Sequence, residues 1–423
     1  MKVFDLGKQM EEALREATKR GLEGFERAVE VVRPIVMAVK EQGDRAVKAY
    51  DKMFSKVACD YEIRVSRDEI EEAYSKVDPK FVEALKRAIE VVRRFHEEEK
   101  PRPWIKEVVR GLRAGVIPRP VDVAGLYIPG GRAPYPSTAV MTGVPAKVAG
   151  VGKLVACSPP GPDGKLNPYV LVALSEVGVD EVYRAGGAQA IAAMAYGTES
   201  IAKVDVIAGP GNVYVTAAKH LVSYVVGVDV LAGPSELLVI ADESADPSLV
   251  ALDLASQAEH DPLAQIALAA TSLRVVRGVA EGLEVLARES SVVEEVLEKH
   301  FIAVYGSPRE LVEFANAYAP EHLQLIVSRP EEYVNEIRAA GALLVGARTP
   351  TALSDYCAGP SHVLPTNRCS RFRSGVSTLT FTRFVHYVEV VEASEELYRT
   401  ALKLAEVEGF RLHAEALRRR LKG

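Results

Sequence analysis

The sequence predicts an α/β protein made of two Rossmann-like parallel-sheet domains, with small helical and extended segments at its N- and C-terminal ends. A chain of 423 residues is too long for one ordinary hydrophobic core. Its hydrophobic fraction of 48% and charged fraction of 26% are typical of a well-packed globular protein. From about residue 121, short continuous apolar runs alternate with helical patterns, which indicates parallel strands covered on both faces.

Helices are predicted for the first hundred residues. Apolar positions recur at helical spacing over residues 9–50, and a second, charged helix runs from about Pro79 to Lys100. The sequence Pro-Arg-Pro at 101–103 ends this second helix, because proline lacks the amide hydrogen that a helix interior needs.

In the first α/β block, each of the first four predicted strands ends in a loop rich in glycine or proline. The strands are 125–128, 153–157, 181–184 and 204–208, and the loops are 129–131, 158–161, 185–187 and 209–211. Ligands of parallel sheets bind at the carboxyl ends of strands, and glycines let the backbone approach a pyrophosphate. Because no Gly-x-Gly-x-x-Gly follows a strand, the loops fit a nucleotide site and a set of tight turns equally well.

A second α/β block follows, and the chain then changes character. The predicted strands of this block are 265–270, 302–305, 323–327 and 342–345, with helices over 247–260 and 309–318, while the apolar run 237–241 is the fifth predicted strand of the first block. The last fifty residues predict extended segments at 377–381 and 387–392 and a terminal helix from about Glu395. This tail is short for an independent domain, which favours docking on another surface such as a second subunit.

Charge and hydropathy exclude several classes of function. The net charge of −6 gives no long-range attraction to phosphate backbones, so we expect no nucleic-acid partner. No apolar stretch is long enough to cross a bilayer, and the first residues lack the apolar core of a signal peptide. We therefore expect a cytoplasmic protein that does not bind membranes.

Three polar clusters are candidates for metal binding. Gln257 and His260 lie three apart on a predicted helix and share a face, although such a pair is also compatible with simple solvation. Asp355 offers a hard oxygen ligand or an Asx turn. Glu408 and His413 are five apart, about 140° in helical projection, so a regular helix would not direct both to one ion.

The adjacent pair Glu321 and His322 is the candidate for acid–base chemistry. It lies in a predicted loop between a helix and a strand, where catalytic groups often occur. Histidine titrates near neutral pH and can take a proton from an alcohol, while a neighbouring carboxylate can activate water. A chance pairing in a loop is the alternative.

Together these motifs resemble those of the histidinol dehydrogenase family, in order and spacing, over essentially the whole chain. The motifs are GLYIPGG at 125–131, GGAQA at 186–190, GPGN at 209–212, GPSE at 233–236, SQAEH at 256–260, APEHL at 319–323, DY at 355–356, SHVLPT at 361–366 and EG at 408–409 with His413. The resemblance implies oxidation of L-histidinol to L-histidine through histidinal, with reduction of two NAD per turnover.

The resemblance also implies roles for particular residues. One zinc per subunit would be bound by Gln257, His260, Asp355 and His413, and NAD would be contacted by Tyr127, Gln189 and Asn212. His322 would be the base and Glu321 would activate water. The substrate would contact Ser235, His362 and Glu408, together with the zinc ligands and His322.

The family is a homodimer whose C-terminal segment reaches into the partner's site, which implies four parts. These are an N-terminal helical arm (1–23), a discontinuous first α/β domain with the metal and catalytic residues (24–124 and 233–370), a second, NAD-side Rossmann-like domain (125–232) and a C-terminal dimerisation segment (371–423). The alternatives are a related zinc- and NAD-dependent dehydrogenase for another polar alcohol, a non-catalytic binding protein and a zinc hydrolase.

Overall fold

A computed structural model describes residues 2–19, 24–130, 133–230, 233–392 and 395–421. The strands are β1 (Lys2–Asp5), β2 (Trp104–Val109), β3 (Leu112–Pro120), β4 (Val123–Tyr127), β5 (Lys153–Ser158), β6 (Glu181–Arg184), β7 (Val206–Ala208), β8 (Gly227–Val228), β9 (Glu236–Ala241), β10 (Gln265–Ala270), β11 (Phe301–Tyr305), β12 (His322–Ile326), β13 (Ala342–Val345) and β14 (Thr382–Val390). The helices are α1 (Leu6–Ala17), α2 (Phe25–Gln42), α3 (Asp44–Phe54), α4 (Arg67–Tyr74), α5 (Pro79–Glu99), α6 (Pro136–Ala149), α7 (Pro168–Val177), α8 (Gly187–Tyr196), α9 (Val213–Val222), α10 (Pro247–Ala258), α11 (Leu273–Ala287), α12 (Ser291–Lys299), α13 (Pro308–Tyr318), α14 (Glu331–Val334), α15 (Thr351–Cys357), α16 (Glu395–Val407) and α17 (Arg411–Leu421).

Two parallel sheets confirm the predicted α/β fold. The five-stranded sheet has the order β6-β5-β4-β7-β8, and the six-stranded sheet has the order β1-β11-β10-β9-β12-β13. Every strand pair in them is parallel. The run 237–241, predicted for the first block, is part of β9 and pairs with β10 and β12 in the six-stranded sheet. Apolar clusters cover both faces of each sheet, which explains why their central strands are continuous apolar runs.

The chain forms two compact units, whose boundaries differ from the predicted parts. The first unit, residues 1–99 and 121–381, contains both parallel sheets. The second, residues 100–120 and 382–423, contains an antiparallel sheet of order β14-β3-β2 and the helices α16 and α17. The division of the first unit into domains at 124, 232 and 370 stays a prediction.

The local structure differs from the sequence predictions at three places. The segment 1–23, predicted as a helical arm, begins with the edge strand β1, which pairs with β11, and continues as α1; its residues 20–23 lie outside the described residues. The predicted helix 9–50 is divided among α1, α2 and α3, and the break between α2 and α3 is at Gly43, where φ is +53° and a β-carbon would lie 2.2 Å from Glu199 Oε2. The segment Thr378–Phe381 is a 3₁₀ turn, because the Ser377 amide donates to Thr380 and the Ser377 hydroxyl accepts from the Leu379 amide.

The extended segment predicted at 387–392 belongs to β14, and the terminal helix is two helices, α16 and α17. Gly409, with φ of +76°, separates them. No helix in the described ranges is long and apolar enough to span a membrane.

Candidate active site

The predicted catalytic pair lies at the amino edge of the six-stranded sheet. His322 is the first residue of β12 and stands opposite Leu237 on β9, the neighbouring strand. The helix α10 returns from the end of β9 to the start of β10, so Gln257 and His260 arrive at the same edge. The motifs SQAEH and APEHL, about 60 residues apart in sequence, therefore meet through one crossover connection.

A strained turn delivers Glu321 and His322 to this edge. The helix α13 begins with a capping box at Ser307 and ends at Ala319, whose φ of +49° is left-handed. A non-glycine residue in that region carries about 1 kcal/mol or more of strain. Pro320 prevents further helix, so the chain enters β12 directly.

Glu321 has a buried carboxyl group that is hydrogen-bonded to the backbone of β9, the neighbouring strand in the sheet. Its Oε2 accepts the amide of Glu236 at 2.8 Å, and the amide of Glu321 donates to Glu236 Oε2 at 3.2 Å. Burial raises the pKa of Glu321 well above its usual value, the Glu236 amide opposes that rise, and the charges of Glu236 and Asp355 add to it. An ionised Glu321 is accordingly a stronger base than an exposed glutamate.

His322 is a neutral imidazole between two carboxyl groups. Its Nδ1 lies 3.7 Å from Glu321 Oε2 and its Nε2 lies 3.5 Å from Asp355 Oδ1. Only 2% of the residue is exposed, and both of these distances are longer than an ordinary hydrogen bond. Burial lowers the pKa of His322 to about 3 and a hydrogen bond with the Glu236 backbone opposes that shift, so the ring carries no charge at neutral pH.

Asp355 and His362 complete this polar cluster. The Nδ1 of His362 lies 2.8 Å from the carbonyl oxygen of Asp355, which can only accept, so Nδ1 carries the hydrogen and Nε2 is the acceptor. Nε2 is 3.4 Å from the Thr138 hydroxyl. Burial lowers the pKa of His362 to about 4 and raises the pKa of Asp355 to about 7.

The predicted zinc ligands fall in two groups. Gln257 is buried, and its Oε1 has no hydrogen-bond partner in the described part of the chain, which fits an oxygen ligand awaiting a cation. His260 is exposed just beyond α10, and Asp355 adds a carboxylate. His413 belongs to the second compact unit. Within the described ranges, no three His, Cys, Asp or Glu side chains converge in a metal-binding arrangement.

The remaining predicted substrate contacts are Ser235 and Glu408. Ser235 is half-buried immediately before β9, where its carbonyl accepts the amide of Gln265 at 2.9 Å. Glu408 and His413 are both exposed on the second unit. The break at Gly409 places them on different elements, so the single-helix geometry assumed for this pair does not apply.

The predicted NAD contacts follow strands of the five-stranded sheet. Tyr127 ends β4, and its hydroxyl accepts the amide of Gly187 at 3.0 Å. Gln189 donates to Asp51 Oδ1 at 2.8 Å, and Asp51 Oδ1 also accepts the Gly186 amide at 3.2 Å. Two amides at the start of α8 are thus engaged within the protein, which leaves them unavailable to a pyrophosphate.

Asn212 and the loop before it are also fixed internally. The Asn212 side chain caps α9 by accepting the amides of Tyr214 and Val215, both at 3.1 Å. Gly209 adopts φ of +134°, and a β-carbon there would lie 2.1 Å from the Tyr127 carbonyl oxygen. Close packing against β4 therefore requires this glycine. Gly131, in the neighbouring loop, lies outside the described residues.

A buried ion pair clamps the same loop. Lys219 donates to Asp229 and to the carbonyl of Gly209, while Asp229 Oδ2 accepts the Gly209 amide at 2.7 Å. Both charged side chains are almost fully buried. Burial raises the pKa of Asp229, and the Lys219 charge opposes that rise.

Replacing Asp229 by Ala should destabilise the protein by about 3–5 kcal/mol, because the Lys219 ammonium would remain buried without a counter-ion. The free energy of unfolding from urea denaturation measures the loss. A double variant, Lys219→Met with Asp229→Leu, removes both charges and should recover much of the stability. If the double variant is no more stable than Asp229→Ala, an unpaired charge is not the cause.

Four residues that organise these sites were not predicted from the sequence: Glu236, Asp51, Lys219 and Asp229. Glu236 could have been identified from the sequence, since it is the last residue of the GPSE motif. Asp51 and Asp229 were not, because each acts by accepting backbone amides of a distant loop, which leaves no local pattern.

Comparison with known proteins agrees with this arrangement. The sequence model of the histidinol dehydrogenase family matches residues 18–421. The chain is 44% identical to the histidinol dehydrogenase of Methanothermobacter thermautotrophicus over 92% of this chain and 93% of that protein. It is 43% identical to the histidinol dehydrogenase of Methanocaldococcus jannaschii over 100% of this chain and 98% of that protein.

A solved structure extends the agreement to the fold. The crystal structure of histidinol dehydrogenase from Elizabethkingia anophelis matches with a TM-score of 0.89 at 35% identity, covering 95% of this chain and 96% of that one. The resemblance seen in the motifs is therefore confirmed, and the chain belongs to the histidinol dehydrogenase family.

Proposed function

We propose that this oxidoreductase converts L-histidinol to L-histidine through histidinal, using one zinc per subunit and reducing two NAD. Family membership supports the reaction, and one observation of the site carries it. His322 is a buried, uncharged imidazole whose two ring nitrogens lie 3.7 and 3.5 Å from the carboxyl oxygens of Glu321 and Asp355. A lone pair is thus available for a substrate proton at neutral pH.

Seven residues would hold the two cofactors. The zinc ligands would be Gln257, His260, Asp355 and His413, and the NAD contacts would be Tyr127, Gln189 and Asn212. When bound, zinc would supply Lewis-acid positioning of the substrate's imidazole and amine, and NAD would accept hydride. The unpartnered oxygens Gln257 Oε1 and Gln189 Oε1 are compatible with these assignments, because each is a buried acceptor without a donor in the described part of the chain.

The protein's own residues would move the protons. His322 would take the hydroxyl proton of histidinol in the first oxidation and a proton of the hydrated aldehyde in the second. Glu321 would take a proton from the water that adds to the aldehyde. Ser235, His362 and Glu408 would hold the substrate, with His362 Nε2 offering an acceptor.

The stoichiometry of NADH tests the reaction directly. With zinc bound and NAD in excess, two NADH should form for each histidinol consumed, measured by absorbance together with chromatography of histidine. Zinc-stripped protein is the control and should form little NADH. A ratio of one would contradict the four-electron reaction, and faster turnover of an unrelated amino alcohol would favour the alternative dehydrogenase.

We further propose a homodimer in which the C-terminal unit of one subunit completes the site of its partner. This unit leaves apolar side chains exposed on its sheet and its helices. These are Trp104, Val108, Val388, Leu404, Val407, Phe410 and Leu412. Monomers rarely expose so many, and His413 and Glu408 belong to the same unit. A cytoplasmic location stays a prediction from sequence.

Mixed dimers of two inactive variants test this sharing of sites. If His322→Ala and His413→Ala subunits are co-expressed, half of the dimers are mixed and each mixed dimer has one undamaged shared site. About a quarter of wild-type activity should therefore return, as the arithmetic of a two-fold dimer requires. Each variant alone is the control. No recovery in a purified mixed dimer would place His413 in the site of its own subunit.

A further inference from the structure

Glu236 is a buried carboxylate that the mechanism above does not use. It begins β9, donates its amide to Glu321 Oε2 at 2.8 Å, and accepts the Glu321 amide at its own Oε2 at 3.2 Å. Each glutamate side chain therefore binds the backbone of the other. The backbone of Glu321 is fixed as well, since its carbonyl accepts the amide of Ala342 at 2.8 Å.

The second oxygen of Glu236 joins a third segment to this pair. Its Oε1 accepts the amide of Asn367 at 2.8 Å, and the Thr366 hydroxyl accepts the amide of Gly233. The Glu236 side chain, at the end of the GPSE motif, thus binds the backbone of the APEHL motif and of Asn367, the residue that follows SHVLPT. These two contacts explain why a carboxylate stands at this position.

A carboxylate suits this position better than any neutral side chain. Backbone amides can only donate, so both oxygens of Glu236 serve as acceptors. Glutamine has the same shape, but its NH₂ group would face the amide of either Glu321 or Asn367. One buried N–H would then lose its acceptor, and the Glu321 segment would shift.

We propose that Glu236 is a positioning residue for Glu321, and that it acts in the oxidation of histidinal but not in the oxidation of histidinol. The Glu236 carboxylate holds the Glu321 amide while the Glu236 amide binds Glu321 Oε2, so Oε1 would be the oxygen that takes a proton from water. The inference rests on the proposed function, because Glu321 activates water only in that reaction.

Histidinal can be oxidised or reduced at this site, and only the oxidation consumes water. Comparing the two rates therefore shows whether a residue acts in the activation of water. In oxidation, the oxygen of water bonds to the aldehyde carbon and hydride leaves that carbon for NAD. Histidinal, water and NAD⁺ give histidine, NADH and two protons. In reduction, NADH gives hydride to the same carbon and a proton adds to its oxygen. Histidinal, NADH and one proton give histidinol and NAD⁺, and no water enters.

The test measures both directions for Glu236→Gln, starting from histidinal. We expect kcat for oxidation to fall about 10- to 100-fold, the loss associated with a displacement near 1 Å of a catalytic group. Reduction should change less than about threefold. Ser307→Ala is the control: it removes the N-cap of α13, the helix that leads to Glu321, and should lower the melting temperature while leaving the ratio of the two rates unchanged.

A double variant tests whether the effect of Glu236 depends on Glu321. In a Glu321→Gln background, Glu236→Gln should cause no further loss of oxidation, because the group that it positions is already absent. If Glu236→Gln does not fold, Glu236→Asp, which keeps the charge but shortens the reach, is measured in the same two assays and should also lose oxidation selectively.

Two outcomes would overturn the inference. One is an equal loss in both directions, which indicates a structural role only. The other is a full additional loss in the double variant, which indicates an action independent of Glu321. Failure of the wild-type protein to react with histidinal in either direction would instead overturn the proposed function.

Discussion

Replacing His322 by Asn should slow both oxidations by about 10²–10⁴-fold, the range associated with loss of a general base. Asparagine keeps an amide in the cavity but has no lone pair of comparable basicity. The ring nitrogens of His322 lie 3.7 and 3.5 Å from the carboxyl oxygens of Glu321 and Asp355, so the substitution breaks no short hydrogen bond to either carboxyl group. The measurement is kcat for NADH formation, from histidinol and from histidinal separately.

The control is the same substitution at another histidine of the same sheet region. His300 caps the end of α12, and its Nδ1 lies 3.0 Å from the side-chain Nε2 of Gln265, outside the polar cluster. His300→Asn should retain kcat within about twofold, as expected for a change away from the reacting atoms. If His322→Asn impaired only one oxidation, the recurring role of His322 as base would be wrong.

The buried parallel strands could be predicted because their pattern is local. Residues 237–241 and 266–270 are continuous apolar runs, and they lie in β9 and β10. The edge strands β1 and β8 were not predicted from the sequence. Their extended state comes from pairing with β11 and β7.

The sequence could not predict that residues 100–120 and 382–423 form one compact unit. The strand β3 contains Gly115, Pro118 and Pro120, residues that are depleted in strands, and it pairs with β14 more than 200 residues later. Residues 100–120 therefore gave no sequence pattern that assigns them to the C-terminal unit. Only the long-range pairing does so.

The candidate residues of the site could be selected from the sequence, but the groups that orient them could not. Glu321, His322, Asp355 and His362 occur in motifs with recognisable donor types. Their orientation depends on backbone amides far away in sequence. Glu236 reaches Glu321 across 85 residues and Asn367 across 131. A backbone amide is present at every non-proline position, so no residue type marks such contacts.

Replacing Glu321 by Gln should stop the reaction at the aldehyde. The carbonyl oxygen of the glutamine can still accept the Glu236 amide, so the fold of the segment is preserved, but the side chain can no longer take a proton from water. Oxidation of histidinal should fall about 10²–10⁴-fold, as for loss of a general base. In a single turnover, NADH formed per histidinol should approach one, and reduction of histidinal by NADH should continue.

Glu310 provides a matched control for this change. It is a half-buried glutamate in the capping box of α13, eleven residues before Glu321, and Gln can also serve at this position of a capping box. Glu310→Gln should therefore keep the yield of two NADH per histidinol. A Glu321→Gln protein that still formed two NADH, or that lost both directions of histidinal turnover equally, would show that water is activated elsewhere. The role of Glu321 would then be structural only, because its two hydrogen bonds with Glu236 join the start of β12 to the start of β9.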